Sequence, residues 1–340
     1  MTQVRMPSLA TAAIVVGWLL AGSLAAVAVA RAVDADGRSI QIGIQGIAVW
    51  LLIPAYPLLV GAVIAVVRRR RRGTAGLRWC VALASVALVL VGVQVLLLVS
   101  AIGWNGTRSA PVGSGALRIV SANVLLDNTQ VPDLARELVA TGADVIVLQE
   151  VTPEHVTALN ASPLAAAYPH RLLDPLPGYH GSAIFSRFAI AGGGPIDVAG
   201  SPMLQADIHL PGGLIRLINV HTVAPIGAGN AAAWREQFAE LSRMAGTETS
   251  PLILAGDFNA TLDHAPLRRL LAEGLRDAFV EGGTGFGATW PRWDGIVPPV
   301  MRLDHVLVSS EISVVSLATQ TSSGSDHRRL LVDLALPPAS

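Results

Sequence analysis

Three long apolar stretches open the chain, at about 9–30, 44–67 and 79–104, and none of them contains a charged residue. A 22-residue helix reaches about 33 Å at 1.5 Å per residue, enough to cross the hydrocarbon core of a bilayer. The pattern predicts three transmembrane helices. Pro54 and Pro57 fall inside the second, where neighbouring helices can satisfy the freed backbone groups. Trp79 and Trp104 bound the third, at positions suited to interfacial anchoring. A secretory leader with cleavage after Ala28-Val29-Ala30 is the alternative for the first stretch, but its leading segment carries only Arg5.

From about residue 116 the pattern changes to short apolar runs alternating with helical periodicity. Strands are predicted at 117–124, 144–148, 182–185, 205–210, 215–220, 251–255, 303–308 and 330–336. Helices are predicted at 132–140, 230–244 and 265–273. Val145-Ile146-Val147-Leu148 is an unbroken apolar run, as a strand covered on both faces requires. The segment between, 105–115, is rich in Gly, Ser and Pro and reads as a tether. The organisation expected is therefore a membrane anchor over 1–104, a linker over 105–115 and an α/β or α+β domain over 116–337.

Charge sharpens this division. The chain has 340 residues, and only 14% are charged, well below the roughly 25% of soluble domains. Its formal net charge is zero, yet residues 1–104 hold nine arginines against two acids. Residues 105–340 hold fifteen arginines against twenty-two acids. Arg68 to Arg72 and Arg78 lie between the second and third stretches, and the positive-inside tendency assigns that loop to the cytoplasm. Everything after Trp104 is then expected outside. The arginine run also suits lipid headgroups or nucleic acid. A single cysteine, Cys80, excludes disulfides and a cysteine-based zinc site.

Polar residues cluster at the ends of the predicted strands, where α/β folds build sites. Asn123 ends the first strand and Gln149-Glu150 the second; Asn219-Val220-His221 ends another. Gly256-Asp257-Phe258-Asn259 follows the 251–255 strand, Asp304-His305 starts a late one, and Ser325-Asp326-His327 precedes the last. Singly, each has an ordinary explanation as a cap, a turn former or a satisfied polar residue. Together they suit one chemistry. Hard cations such as Mg²⁺ take carboxylate and amide oxygens, which Glu150, Asp326 and Asn123 supply. An extended segment would aim Asp257 and Asn259 at one substrate and turn Phe258 inward. His221 and His327 can move protons near neutral pH, and Asp304 can orient one of them. The chain has no P-loop and no G-x-S-x-G elbow.

The ordered set SANV, LQE, GSAIFSR, NVH, GDFNA, TWP, LDH and SDH resembles the endonuclease/exonuclease/phosphatase superfamily over about 220 residues. The resemblance implies a four-layer α+β sandwich, two packed β-sheets flanked by helices, and hydrolysis of a phosphate ester with Mg²⁺ (or Mn²⁺). It implies Glu150 as principal metal ligand, assisted by Asn123 and Asp326. Asp257 resembles the residue that orients or deprotonates the attacking water, Asn259 the phosphate-orienting amide and His221 the leaving-group acid. His327, positioned by Asp304, resembles the group that stabilises the phosphorane; members differ on whether Asp257 or His327 is the base. Tyr179 and His180 sit where some members place a substrate-touching tyrosine. Arg328 and Arg329 depart from the aromatic or Pro found there in many members; they suit contact with an anionic substrate or, the preferred reading, solvated charges flanking the strand.

The chain also resembles membrane-anchored actinobacterial members, some linked to glycopeptide resistance. That implies a bacterial cell membrane, an extracytoplasmic catalytic domain, and an envelope phosphate, such as a lipid-linked one, as substrate with membrane lipids as partners. The alternatives are a surface nuclease, disfavoured by the acidic domain because nucleic-acid binding needs a basic face, and a catalytically inactive binding domain, disfavoured by the filled site positions.

Overall fold

The computed structural model describes residues 9–292 and 298–337; Arg5 lies outside them. The chain divides into two units, Met1–Ser100 and Ala101–Ser340.

The first unit is helical: α1 Leu9–Ala32, α2 Ser39–Gly46, α3 Ala48–Leu51, α4 Ala55–Arg72 and α5 Leu77–Ala101. Three helical segments, Thr11–Ala32, Ala48–Arg72 and Leu77–Ala101, are long and apolar enough to cross a membrane. The second differs from the single 44–67 helix expected. It breaks after α3 and restarts with Pro54 as the N-cap of α4 and Pro57 in its first turn, positions where a missing N–H costs nothing. Gln94 of α5 lies beside the break. Its amide donates to Val49 O at 3.3 Å and accepts from Tyr56 OH at 2.7 Å. α4 continues through the arginine run to Gly73, which closes it in the left-handed conformation at φ 60°.

The second unit contains β1 Gly103–Trp104, β2 Gly115–Asn123, α6 Val131–Ala140, β3 Val145–Gln149, α7 Pro153–Asn160, α8 Pro163–Ala167, β4 His170–Asp174, β5 Ser182–Ser186, β6 Ile190–Val198, β7 Ser201–Leu210 and β8 Gly213–His221. It continues with α9 Asn230–Thr247, β9 Leu252–Asp257, α10 Ala265–Ala272, β10 Arg276–Asp277, α11 Ala278–Gly282, β11 Thr284–Gly285, β12 Asp304–Val308, β13 Ser313–Thr321 and β14 Arg328–Leu336. Two six-stranded mixed sheets result, ordered β13-β14-β2-β3-β5-β4 and β10-β12-β9-β8-β7-β6. Each holds one parallel pair, β2 with β3 and β8 with β9.

The sheets pack face to face. Ile119, Val147 and Ile184 of the first meet Leu204, Leu217, Ala255 and Val306 of the second in one apolar core. Alternation along β3 places Val145 and Val147 in that core. It turns Ile146 and Leu148 outward, beneath Leu134, Leu138 and Leu164 of the helical layer. This double coverage explains the unbroken apolar run. On the second sheet, Trp234 and Phe238 of α9 stack edge-on at 5.1 Å, and Phe238 meets Phe258 at 6.2 Å. The result is the α+β sandwich expected.

The segment 105–115, expected as a short tether, makes hydrogen bonds within the second unit. Asn105 Nδ2 donates to Val280 O at 2.9 Å, and Arg108 N to Val315 O at 2.7 Å. The third apolar helix ends at Ala101, and Trp104 pairs with Thr284 instead of extending it. Gly103 permits this, because a Cβ there would sit 2.5 Å from Gly283 O.

Candidate active site

The site residues lie at matched strand ends. In the second sheet, register pairs His221 with Asp257 and Asp257 with Asp304. In the first, Asn123 pairs with Gln149, directly before Glu150, and β14 starts one residue after His327. Tight backbone packing fixes the centre of this arrangement. Gly256 has φ 154°, and a Cβ on it would meet Val220 O at 1.9 Å, so only glycine brings β8 and β9 together here.

Glu150 leaves β3 with φ 62°, an uncommon conformation for a residue with a side chain. Two interactions hold its carboxylate: Leu126 N–H donates to Oε2 at 2.8 Å and Asn123 Nδ2 to Oε1 at 2.9 Å. The same Asn123 Nδ2 donates to Asp257 Oδ2 at 3.2 Å, while its oxygen accepts from Leu125 N–H at 2.9 Å. One amide therefore bridges two buried carboxylates. His221 faces both, with Nε2 3.9 Å from Glu150 Oε1 and 3.8 Å from Asp257 Oδ2.

His327 lies on the other side of Asp257. Its Nδ1 is 2.8 Å from Asp304 Oδ2 and its Nε2 is 3.7 Å from Asp257 Oδ2. Burial opposes protonation of this ring, but Asp304 and Asp257 outweigh it and push its pKa up to about 10. Burial also raises Asp257 above the usual carboxylate range, against the pull of His327 and His221. Atoms of Asp257, Asp304 and His327 lie within 4.8 Å of one another. An imidazole held cationic between two carboxylates is a poor metal ligand, so we read this trio as an ion-paired acid–base group.

Asn259 is close by, though not by the route expected. The strand ends at Asp257, and Asn259 turns to φ 47°. Asp257 Oδ1 accepts from Asn259 N–H at 2.8 Å, and Asn259 Nδ2 donates to Thr222 O at 2.9 Å. Phe258 is fully buried, as expected. Asp326 is half-buried; its Oδ2 accepts from Trp290 Nε1 at 2.9 Å. Ser325 Oγ donates to Asn123 O at 2.8 Å, tying the 325–327 turn to β2. Tyr179 is exposed, and His180 stacks obliquely 6.5 Å from His221. Burial, then His221, lowers the His180 pKa.

Arg329 corrects the reading of solvated charges. It is buried, and its Nη1 pairs with Glu137 Oε2 at 2.6 Å, fastening β14 to α6. Arg328 is half-buried and donates to Thr319 O at 3.4 Å.

Sequence reasoning missed three supports. Trp290 stands in the TWP string but received no role. His155 Nδ1 lies 3.2 Å from Glu150 O, within a capping box begun by Thr152; the T-x-x-H spacing carried that signal weakly. A buried network behind the site links Arg302 Nη1 to both Asp277 oxygens at 2.8 Å and His305 Nδ1 to Asp277 Oδ2 at 2.7 Å. His305 Nε2 reaches Ala260 O at 2.9 Å, just after Asn259. It is therefore a support for the turn rather than a reacting group.

The donor set suits a hard divalent cation. Glu150 and Asp326 offer carboxylate oxygens; Asn123 here presents its Nδ2 to the carboxylates, and a flip of that amide would turn its oxygen toward a cation. Asp304 Oδ1 is buried with no hydrogen-bond partner among the described residues.

Residues 120–327 match the model of the Endonuclease/Exonuclease/phosphatase family. The chain belongs to that family. Several solved structures of the family share the fold. An endonuclease/exonuclease/phosphatase family protein from Bacteroides thetaiotaomicron aligns with TM-score 0.56 and 19% identity, covering 66% of this chain and 98% of that one. D. rerio TDP2, complexed with a single-strand DNA product, aligns with TM-score 0.55 and 22% identity, covering 65% and 99%. A mannosyl-6-phosphatase from Bacteroides thetaiotaomicron aligns with TM-score 0.54 and 18% identity, covering 64% and 99%. No curated protein matches the chain.

Proposed function

We propose that this family member is a membrane-anchored phosphoester hydrolase that depends on Mg²⁺ or Mn²⁺ and acts outside the cytoplasm on an envelope phosphate ester, with a lipid-linked phosphate as the preferred class. The observation that carries the reading is the grouping of Asn123, Glu150, His221, Asp257, Asp304 and His327, drawn from six strand ends in two sheets, around one buried carboxylate pair.

Glu150, Asn123 and Asp326 would hold the cation, whose positive charge polarises the phosphoryl oxygens. Asp257, its pKa raised by burial, takes the proton of the attacking water. His327 stays protonated at neutral pH and stabilises charge developing on phosphorus, with Asp304 fixing its ring. His221 supplies a proton to the leaving oxygen, and Asn259 orients the phosphate.

Support for an envelope substrate comes from the three apolar helices and the arginine loop between the second and third. The acid excess in residues 105–340 weighs against long nucleic acids.

The test is to incubate the full chain in mild detergent with phospholipids, polyprenyl phosphates, inositol phosphates and DNA, with and without Mg²⁺. Mg²⁺-dependent release from a lipid phosphate is the expected result. Faster DNA cleavage would make the protein a surface nuclease, and cation binding without turnover would make it a binding domain. Protease added to intact cells should digest the C-terminal unit; full protection would overturn the orientation.

A further inference from the structure

A cavity of about 580 Å³ lies within the helical unit, among α1, α4 and α5. Its long wall is one face of α4, where Pro57, Gly61, Ile64, Arg68 and Arg72 follow helical spacing. Ala13 and Gly17 of α1 and Leu83 of α5 close the other sides. Most of the wall is therefore apolar and low in profile. One end is different: Arg68, Arg69 and Arg72 converge there beside Thr74.

We propose that this cavity is a binding site for a single anionic phospholipid, with an acyl chain along the α4 face and the headgroup phosphate among the three arginines. The inference rests on the membrane reading above. If these helices cross a bilayer, an apolar cleft between them has acyl chains as its solvent, and an empty one forfeits the contacts of its lining atoms. Basic pockets between spanning helices are suited to anionic headgroups. Guanidinium groups are planar and match phosphate oxygens two at a time.

Charge selects the headgroup. The acids of the first 104 residues are Asp34 and Asp36, beyond the far end of α1. Gly17, in the cavity wall, is 17 residues from Asp34, about 25 Å at 1.5 Å per residue. That exceeds the screening length of about 8 Å in physiological salt. The end of α4 contributes about half a negative charge, which three whole positive charges outweigh. Arg69 is partly engaged, donating to Ala75 O. Arg68 and Arg72 stand exposed at the cavity mouth.

The test is a lipid titration of the full chain in mild detergent, read by native mass spectrometry. The probes are phosphatidylglycerol, phosphatidylcholine and inorganic phosphate. One phosphatidylglycerol should be retained in preference to phosphatidylcholine, and inorganic phosphate should not displace it. Arg68→Gln with Arg72→Gln should weaken retention roughly fivefold per arginine, whereas Arg70→Gln with Arg71→Gln, outside the cavity, should change it by less than about twofold. Gly61→Leu should lower occupancy by either lipid. A Cβ at Gly61 meets no protein atom within 4 Å, so a side chain can start there without a backbone clash, and Gly61 lines the cavity. Equal losses from the two arginine pairs, or unchanged retention in Gly61→Leu, would overturn the proposal. Carbonate extraction of membranes tests the underlying reading separately: a released chain does not span the bilayer, while a retained chain without lipid preference sinks the lipid site alone.

Discussion

Asp304→Asn isolates the contribution of the His327 ion pair. The substitution keeps the side chain's shape and removes its charge, leaving the ring without the carboxylate that lies 2.8 Å from Nδ1. A hydrogen bond to a charged group contributes about 1.5–3 kcal/mol. If the cationic ring acts on the transition state, the loss converts to a fall in kcat of roughly 10- to 150-fold. The pH dependence is more diagnostic than the size. In the wild type His327 stays protonated up to about 10, so this group imposes no fall in rate between pH 6 and 8. Without Asp304, burial pulls the ring back toward its ordinary value of about 6.5. The variant should therefore lose more activity at pH 8 than at pH 6. Stability follows the same sign. A raised histidine pKa stabilises the fold fully below its unfolded value of about 6.5, and that stabilisation is lost as pH rises through about 10. Rates on an activated aryl phosphate, measured from pH 5.5 to 8.5 beside a thermal unfolding control, provide the test. A variant with a wild-type pH profile and less than about a threefold loss would refute the assigned role.

Glu150→Ala should abolish Mg²⁺-dependent turnover and weaken Mg²⁺ binding by calorimetry; unchanged cation dependence would remove Glu150 from the metal site. His221→Ala should cost about 10²–10⁴ in rate with poor leaving groups and much less with activated aryl phosphates, read as the slope of rate against leaving-group pKa. Arg302→Met should destabilise the fold by about 3–5 kcal/mol because it strands a buried carboxylate. Chemical denaturation should show the double variant Arg302→Met/Asp277→Asn losing less than the single one. Asp277 is also an acid sensor of stability. Burial alone would raise its pKa, but the Arg302 charge and the His305 and Arg302 hydrogen bonds hold it well below the usual carboxylate range. Its contribution is present above the unfolded value near 3.9 and is lost as pH falls toward the lowered one. Asp277→Asn should flatten the acid-unfolding curve below about pH 4.

Interior strands were legible in the sequence and edge strands were not. β2, β3, β5, β7, β8, β9, β12 and β14 each have neighbours on both sides, and their apolar runs announce burial on one or both faces. The longer strands that escaped notice, β4, β6 and β13, lie at sheet edges. β6 reads IAGGGPIDV, and its three glycines and Pro195 look like a turn. An edge position tolerates them, because a missing N–H there breaks no second ladder. The site shows the same contrast. Candidate site residues at strand ends were readable as motifs, whereas Trp290 meets Asp326, and Asp277 meets Arg302 and His305, across 25 or more residues. Local spacing holds no signal for such contacts. In 105–115, Gly and Pro mark an irregular backbone, and such a backbone can still make hydrogen bonds, as Asn105 and Arg108 do.

The grouping of distant residues follows from strand direction. β2 runs parallel to β3 and β8 parallel to β9, so four C-terminal ends emerge together, carrying Asn123, Glu150, His221 and Asp257. β12 is antiparallel to β9 and β14 to β2, so their N-terminal ends return to the same edges with Asp304 and His327. Contacts then cross between the two sheets, among them Asn123 to Asp257, Glu150 to His221, and His327 to both Asp304 and Asp257. Each contact needs its strand in one register, because a slip of one residue turns every side chain to the opposite face. The core enforces that register, since the same slip would put neighbours of different size in the places of Val147 and Ala255 between the sheets. The geometry of the site and core packing are thus set by one constraint, which is why residues spread over some two hundred positions can be held beside one another without a continuous segment connecting them.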